Sequence, residues 1–263
     1  MDATPQTTAR KVQRYGWVPD LPDMRDHLYS APENLLASLP PSVDLRAHCP
    51  PVYDQGQLGS CTANATAGAV QFERQRQKLI PDYVPSRLFI YYNERVIEGT
   101  TGYDSGATLR DGIKTMANQG ACPEPEWPYH IPDFREQPPE RAYQAASKDL
   151  AIRYSRVRQH LPQMMACLAD GFPFVFGLSV YESFESEAVA QSGEVPMPQQ
   201  GEKLLGGHAM MAVGYLHDQQ RFIARNSWGT DWGMQGYCTM PYAYLLNRAL
   251  SSDFWTVRLV SKS

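Results

Sequence analysis

The chain has 263 residues, of which 43% are hydrophobic and 20% are charged, with a formal net charge of −4 and a pI near 5.9. This size suits one large or two small globular domains that bury most of their apolar surface without disulfide bonds. The slightly acidic balance gives no electrostatic attraction to nucleic acid or to an anionic membrane, so neither partner is expected.

The first forty residues are rich in Pro, Asp and Arg, as in "GWVPDLPDMRDHLYSAP". They contain no apolar run long enough for a signal peptide, and no later stretch reaches transmembrane length. We therefore expect a soluble protein, most simply a monomer, that is cytoplasmic or exported without a cleavable signal.

Residues 1–38 are predicted to form a short leader, and residues 39–263 a folded domain. The leader carries large apolar side chains that a disordered tail would not need, so we expect the domain to bury them. These side chains are Tyr15, Trp17, Leu21, Leu28 and Tyr29.

The apolar spacing predicts helices at residues 61–78, 86–98, 107–119 and 160–170. The first has only small apolar side chains along its stripe, so we expect it to be central and closely packed. Six prolines between residues 123 and 139 predict a long irregular connection.

The second half of the chain contains short runs of apolar residues and runs in which apolar and polar residues alternate. Both patterns predict strands. The predicted strands are Phe172–Val180, Ala209–Tyr215, Arg221–Arg225 and Gly236–Met240. Helices followed by strands indicate the α+β class, with a helical lobe at about 50–150 and a β lobe at about 151–258.

The five cysteines are an odd number without the spacing of a metal-binding motif, so we expect neither a complete disulfide framework nor zinc. They are Cys49, Cys61, Cys122, Cys167 and Cys238. We read Cys167 and Cys238 as core residues and leave Cys49 and Cys122 open. No metal and no cofactor is expected.

Cys61 lies where the glycine-containing turn of "DQGQLGSCTANA" gives way to a predicted helix. A helix N-terminus lowers the pKa of a thiol, and the thiolate is the form that attacks carbonyl groups. His208 opens a predicted strand after two glycines, and Asn226 follows the next strand, so both are expected at one edge of a sheet. A histidine is the commonest base for such a thiol, and the asparagine could orient it.

Each of these three residues has a common structural explanation when it is taken alone. A buried cysteine is usually inert, a histidine before a strand is usually structural, and "NSWG" is an ordinary turn that begins with Asn. Their order and spacing together favour catalysis, because the separation of Cys61 and His208 lies within the roughly 130–150 residues typical of one protease family.

The motifs "DQGQLGSC", "GGHAMMAVGY" and "RNSWGTDWGMQGY" together resemble the papain-like cysteine proteases, and the resemblance covers residues 40–260. It implies a two-lobed fold with a helical N-terminal lobe, an antiparallel β-barrel-like C-terminal lobe and an active-site cleft between them. With its short leader, the whole chain is similar to a bacterial member of this family. The implied substrate is a polypeptide.

The resemblance implies a role for each matching residue. Cys61 would be the nucleophile, His208 the general acid and base, and Asn226 the group that orients the imidazole. The side-chain amide of Gln55 and the backbone N–H of Cys61 would form the oxyanion hole. Trp228 would shield the bond between Asn226 and His208 from water.

The resemblance also implies where the substrate lies. Ser105 and Gly106, in "YDSGATLRDG", would pair with an extended peptide as a short added strand. Gly177 and Gly207 would line an open specificity pocket, as would Gly206. The residue that closes this pocket, and hence the preferred substrate side chain, remains open.

The chain departs from the family pattern beside the nucleophile, where "CGSCW" reads "LGSCT". Leu58 replaces a cysteine that normally ties this loop to the next one, and Thr62 replaces an aromatic residue. The loop therefore lacks its usual disulfide, which suits a reducing compartment.

We expect an endopeptidase whose leader crosses the cleft and blocks it. Two other functions are compatible with the sequence: a peptide-binding module on a peptidase fold, with incidental catalysis, and a non-proteolytic acyl-transfer enzyme that uses the same Cys–His pair. The leader could instead dock on the side of the domain without function. Surface ion pairs from "DMRDH" would hold it with at most about 1 kcal/mol each.

Overall fold

The computed structural model of the chain describes residues 14–149 and 152–259. Helices α1 to α8 are Glu33–Ala37, Cys61–Arg76, Arg87–Glu98, Leu109–Gln119, Glu140–Ala146, Leu161–Ala169, Glu187–Ser192 and Tyr242–Leu246. Strands β1 to β7 are Ser42–Asp44, Ile152–Arg156, Phe174–Tyr181, Leu204–Leu216, Arg221–Arg225, Tyr237–Pro241 and Ser251–Leu259.

All four predicted helices and all four predicted strands are present, with ends that shift by up to five residues. The order of helices before strands confirms the α+β class. Strands β1, β2 and β7 were not predicted. Within the described residues, no helix is both long enough and apolar enough to cross a membrane.

Helix α2 is the centre of the molecule, as its small side chains predict. Every residue from Cys61 to Arg74 is buried, and the helix packs against α3 and α4 on one side and against β4 and β7 on the other. Its neighbours have well-defined starts, because Ser86 caps α3 and Thr108 caps α4 through side-chain oxygens. The first residue of α2 therefore lies where the helices meet the sheet.

The sheet is antiparallel, with the strand order β2-β7-β3-β4-β5-β6 and with β1 paired to the end of β4. The antiparallel sheet confirms the expected β lobe, and over the described residues it does not close into a barrel. Its two edge strands do not pair because other segments cover them: residues 27–29 bond to β2, and residues 193–195 bond to β6. These segments take the backbone groups that barrel closure would need.

The described part of the leader runs along the domain, but it buries only part of its apolar set. Tyr15, Trp17 and Tyr29 are buried, whereas Leu21 is 81% and Leu28 is 49% exposed. The expectation was wrong for these two leucines. The inward positions beside them are taken by carboxylates instead, which bind arginines of the domain.

Candidate active site

Cys61 is the first residue of α2, and it follows a turn that Gly56 permits through its positive φ of +60°. Asn64, one turn into the helix, braces the turn by donating to the backbone oxygen of Ser60 at 2.9 Å. The Cys61 side chain is fully buried. The helix start thus presents the thiol at a fixed point rather than on a mobile loop.

Burial raises the pKa of Cys61 to about 12, while backbone N–H groups of Ala209, Gly16 and Thr62 partly offset the rise. The helix terminus was expected to lower this pKa. In the observed conformation burial of the sulfur outweighs that effect. Ala209 follows His208 directly, so this bond also fixes the thiol beside the histidine. His208 was expected to open its strand, but β4 begins four residues earlier, at Leu204.

His208 and Asn226 form a hydrogen bond of 2.8 Å between Nε2 and Oδ1. The register of β4 and β5 pairs Met211 with Arg225, so both residues extend beyond the last pair at the same end of the two strands. Since Nε2 faces Asn226, Nδ1 is the ring nitrogen left for another partner. Burial lowers the pKa of His208 to about 4, although the bond to Asn226 raises it.

Aromatic rings enclose this hydrogen bond. The Trp228 ring centre lies 5.1 Å from that of His208, and Phe184 and Trp232 pack around Trp228 at 5.7 and 5.4 Å. Trp228 therefore packs against the His208 ring that bonds to Asn226. Phe184 was missed, because it comes from a short turn after β3 with no motif of its own.

Gln55 is buried and held in one orientation. Its Oε1 accepts a bond from the Ser227 hydroxyl at 2.6 Å, and its Nε2 donates to the Leu58 carbonyl at 2.9 Å. The Ser227 backbone N–H in turn donates to Oδ1 of Asn226 at 2.8 Å. Ser227 thus links the two amide side chains, a role that sequence reasoning missed although "NSW" contains the residue.

The predicted substrate residues separate into two groups. Ser105 bonds within its own loop, through Oγ to Thr100 and to the Gly106 carbonyl. Gly106, Gly177 and Gly207 border the leader instead: a Cβ on them would lie 2.1 Å from Gly16 O, 1.9 Å from the Trp17 indole and 2.4 Å from Trp17 O. Gly206 borders the leader too, with Tyr15 atoms 2.7 Å from its Cβ position.

Residues 16–18 of the leader lie between two backbones beside Cys61. The Ala107 N–H donates to Gly16 O at 2.7 Å, and the Val18 N–H donates to Ala107 O at 3.0 Å. On the other side, the Trp17 N–H donates to Gly207 O at 2.9 Å. The segment therefore occupies a strand-like position across the site.

Tyr15 lies on the histidine side of this segment. Its ring centre is 5.9 Å from that of His208, and its hydroxyl donates to the Glu185 carboxylate. Three successive leader residues thus contact the site. Tyr15 contacts His208, Gly16 contacts the Cys61 thiol, and Trp17 contacts the glycine pocket, by which we mean Gly177 and Gly207.

The other four cysteines are free thiols that lie apart from this site. Cys167 and Cys238 are core residues, as expected, and burial raises the pKa of Cys167 and of Cys122 to about 12. Cys49 is half-buried. Among the described residues, no group of His, Cys, Asp and Glu is arranged to hold a metal ion.

Comparison with known proteins supplies the family. The model of the papain family cysteine proteases matches residues 39–247. A peptidase C1-like protein of Acanthamoeba polyphaga mimivirus is 39% identical over 278 residues, which cover 97% of this chain and 89% of that protein.

Solved structures agree. The crystal structure of xylellain, a cysteine protease from Xylella fastidiosa, superposes with a TM-score of 0.89 at 46% identity, covering 96% of this chain and 98% of xylellain. Procathepsin L 3 of the Tenebrio molitor larval midgut shares the fold, with a TM-score of 0.69 at 20% identity over 89% of this chain and 74% of its own. The likeness to a bacterial protease that includes the leader region is thereby confirmed.

Proposed function

The chain belongs to the papain family of cysteine proteases, which hydrolyse peptide bonds, and on that premise we propose that Cys61, His208 and Asn226 carry out the catalysis. The observation that supports this most directly is the 2.8 Å bond from His208 Nε2 to Asn226, next to Ala209, whose backbone N–H bonds to the Cys61 thiol. It fixes the imidazole and leaves Nδ1 to exchange a proton with Cys61.

In the acylation step, His208 takes the thiol proton and the sulfur attacks the carbonyl carbon of the substrate. The C–S bond forms while the carbonyl π electrons move to oxygen. The tetrahedral adduct then collapses: its C–N bond breaks, and the imidazolium returns the proton to the leaving amine. A thioester on Cys61 remains.

Water completes the cycle. His208 removes a proton from the water molecule as its oxygen attacks the thioester carbon. The second tetrahedral adduct collapses with cleavage of the C–S bond, so the acid product leaves and the protonated pair is restored. Asn226 keeps the ring in one orientation through both half-reactions, and Trp228 with its aromatic neighbours keeps water from competing for that bond.

We assign the oxyanion hole to the Cys61 backbone N–H and the Gln55 side-chain amide. Gln55 Nε2 has two N–H groups, and one of them donates a hydrogen bond to the Leu58 carbonyl. Since Ser227 fixes the carbonyl end of the same amide, the second N–H is held without reorganisation. Removal of one such donor commonly costs about 2.7–4 kcal/mol of transition-state stabilisation.

We assign the substrate backbone to the strand-like path now taken by residues 16–18. The carbonyl and N–H groups of Ala107 and the Gly207 carbonyl would bind it, with Gly106 and Gly177 giving room. Ser105 supports this edge through its loop rather than by contact with the peptide.

We further propose that residues 1–38 are a leader that blocks the cleft of a peptidase domain at residues 39–263. Three leader residues in sequence contact the histidine, the thiol and the glycine pocket, which supports obstruction rather than docking at the side of the domain. The attachment is firmer than surface ion pairs would give, because Asp26 binds Arg110 at 2.7 Å in a largely buried pair.

Alanine substitutions test the catalytic proposal. Cys61→Ala and His208→Ala should each abolish cleavage of a fluorogenic peptide under reducing conditions while leaving the thermal midpoint within a few degrees. Asn226→Ala should be milder, since a misoriented imidazole still transfers protons. Titration with an epoxide inhibitor of thiol proteases should label one site in the parent and none in Cys61→Ala. Near-normal turnover by Cys61→Ala or by His208→Ala would contradict the assignment.

A further inference from the structure

We propose that Asp104 is a positioning residue that clamps the nucleophile loop to the substrate-binding edge, in the place where the family's usual disulfide is missing. The proposal rests on the proposed catalytic function, because it concerns the geometry of the same oxyanion hole. It is carried by three hydrogen bonds and two close glycine contacts.

The first half of the clamp joins Asp104 to the nucleophile loop. Its Oδ2 accepts the backbone N–H of Gly59 at 3.0 Å, two residues before Cys61. Gly59 is needed for the approach, because a Cβ there would lie 2.9 Å from Asp104 Oδ1. A charged acceptor makes such a bond stronger than a neutral one.

The second half joins Asp104 to the edge that faces the substrate. Its Oδ1 accepts the hydroxyl proton of Tyr91, and the same hydroxyl accepts the backbone N–H of Gly106 at 3.1 Å. Tyr91 is fully buried in α3, so this relay is anchored in the helical core. One carboxylate and one phenol thus connect residue 59 to residue 106.

Arg95 holds the loop that carries Asp104 from behind. Its guanidinium donates to the carbonyls of Thr101 and Tyr103 at 3.1 Å each, and it lies 4.1 Å from the centre of the Tyr91 ring. It is completely buried. Because Arg95 holds the loop of Asp104 in place, the bond from the Gly59 N–H to Asp104 can fix the position of the nucleophile loop.

The two clamped glycines, Gly59 and Gly106, both lie against Gly16 of the leader. A Cβ on Gly16 of the leader would lie 1.7 Å from Gly59 O, and a Cβ on Gly106 would lie 2.1 Å from Gly16 O. The relay through Asp104 and Tyr91 therefore links two backbone positions that both lie against Gly16. A shift of Gly59 would also move the preceding Leu58 carbonyl, which holds Gln55 Nε2.

The chemistry of the clamp differs from that of a disulfide. Leu58 stands where the family usually has the cysteine that ties this loop, and a carboxylate with a phenol makes the connection without any redox-sensitive bond. The oxyanion hole should therefore keep its geometry under strong reductant.

The test compares Asp104→Ala with Asp104→Asn in the full chain carrying Trp17→Ala, which loosens the leader. Asp104→Ala should lower kcat on a fluorogenic peptide at least tenfold. Asp104→Asn should lower kcat less than Asp104→Ala, because its single side-chain oxygen can still accept one of the two bonds, from the Gly59 N–H or from the Tyr91 hydroxyl. Alkylation of Cys61 by iodoacetamide uses no oxyanion hole, so its rate should stay within twofold in both variants.

Tyr91→Phe provides a second variant if Asp104→Ala fails to fold. It should lower kcat severalfold, and combined with Asp104→Ala it should add little, because both act through one relay. Tyr92→Phe on the same helix is the matched control and should leave kcat unchanged.

Two outcomes would overturn the clamp: a kcat within twofold of the parent for Asp104→Ala, or a parallel fall in kcat and in the alkylation rate. The second would show that the whole site is disturbed. Failure of the catalytic proposal is distinguishable, since Cys61→Ala in the same background would then retain turnover.

Discussion

At the scale of single residues, the fit of Trp17 to Gly177 determines how the leader lies. Three atoms of the indole lie 1.9–2.3 Å from the position that a Gly177 Cβ would take, so any side chain there displaces the tryptophan. Burial of an indole removes a large apolar area from water, which is worth a few kcal/mol. The lack of a side chain at Gly177 therefore permits the burial of Trp17, which supplies much of the free energy of leader docking.

Gly177→Ala should release the leader and speed alkylation of Cys61 by iodoacetamide in the full chain, by tenfold or more. The reason is the clash with Trp17, so Trp17→Ala should speed labelling by itself and Gly177→Ala should then add little. Gly68→Ala is a matched control, because its Cβ would lie 3.8 Å or more from its nearest neighbours, Arg225 and Met211. Labelling at the parent rate in Gly177→Ala would show that Trp17 does not hold the leader over Cys61.

At the scale of elements, the proposed catalytic residues lie in α2, in β4 and directly after β5, and packing around α2 shows how polar atoms are accommodated. Glu94 of α3 is fully buried, and its Oε1 accepts the Thr62 hydroxyl at 2.7 Å. Its Oε2 has no hydrogen-bond partner in the described part of the chain, and it occupies the space left by Gly112, 2.7 Å from that residue's Cβ position. Burial raises the pKa of Glu94 well above its usual value.

Glu94→Gln should therefore make stability less dependent on pH. The pKa of Glu94 is higher in the folded state than in the unfolded state, so Glu94 contributes most to the stability of the parent at low pH. This contribution is lost as the pH rises from the unfolded-state pKa towards the folded-state pKa. The thermal midpoint of Glu94→Gln minus that of the parent should rise between pH 4 and pH 8. The exposed Glu136→Gln should show no such trend. A flat difference for Glu94→Gln would mean that the buried carboxyl keeps its charge at no cost.

Sequence patterns predicted the elements that carry the proposed catalytic residues, because local signals define these elements. A glycine-containing turn before small residues marks the start of α2 at Cys61, and apolar runs after glycine mark the strand of His208. Strand β7, "SSDFWTVRL", was missed although its second half, "WTVRL", alternates apolar and polar residues; its first three residues are polar and give no such signal. It is a strand because β2 and β3 pair with it on both sides.

The supporting residues of the site were not predictable for a similar reason. Asp104, Tyr91 and Ser227 act through bonds between segments 13 to 172 residues apart, and nothing in their local sequence indicates a partner. The leader also shows this limit: its tyrosines and tryptophan pointed to burial, but its inward-facing aspartates did not.

At the scale of the whole molecule, the leader is attached to both helices and sheet by one cluster of charges. Asp20 accepts the Trp255 indole N–H at 2.8 Å and the Arg110 backbone N–H at 3.1 Å. Asp26 pairs with Arg110 and with Arg156, and Arg156 also pairs with Asp253 of β7. Three carboxylates thus share two guanidinium groups, and the carboxylates of Asp20 and Asp253 repel each other.

This surplus of negative charge predicts that the leader docks more tightly in acid. Burial and then the charge of Asp253 raise the pKa of Asp20 to about 6, while Trp255 and Arg110 oppose the rise. A released leader would expose Asp20 to water, where its pKa is near 3.9. The docked state therefore binds more protons between about pH 4 and 6, so docking weakens as pH rises through this window and levels off above it.

Hydrogen exchange tests this prediction in the full chain carrying Cys61→Ala, which prevents self-cleavage. Protection of the Trp17 and Val18 amides, corrected for intrinsic exchange, should fall by about tenfold or more between pH 4.5 and 7. The side chain at residue 20 cannot ionise in Asp20→Asn, so protection of these two amides should change much less across the same pH range in this variant. Glu98 is a second group that interacts with Asp20, and burial raises its pKa to about 7. Glu98→Gln in combination separates the two groups. Protection that stays constant in the parent, or that rises towards neutral pH, would mean that the two arginines neutralise the cluster and that pH does not control access to Cys61.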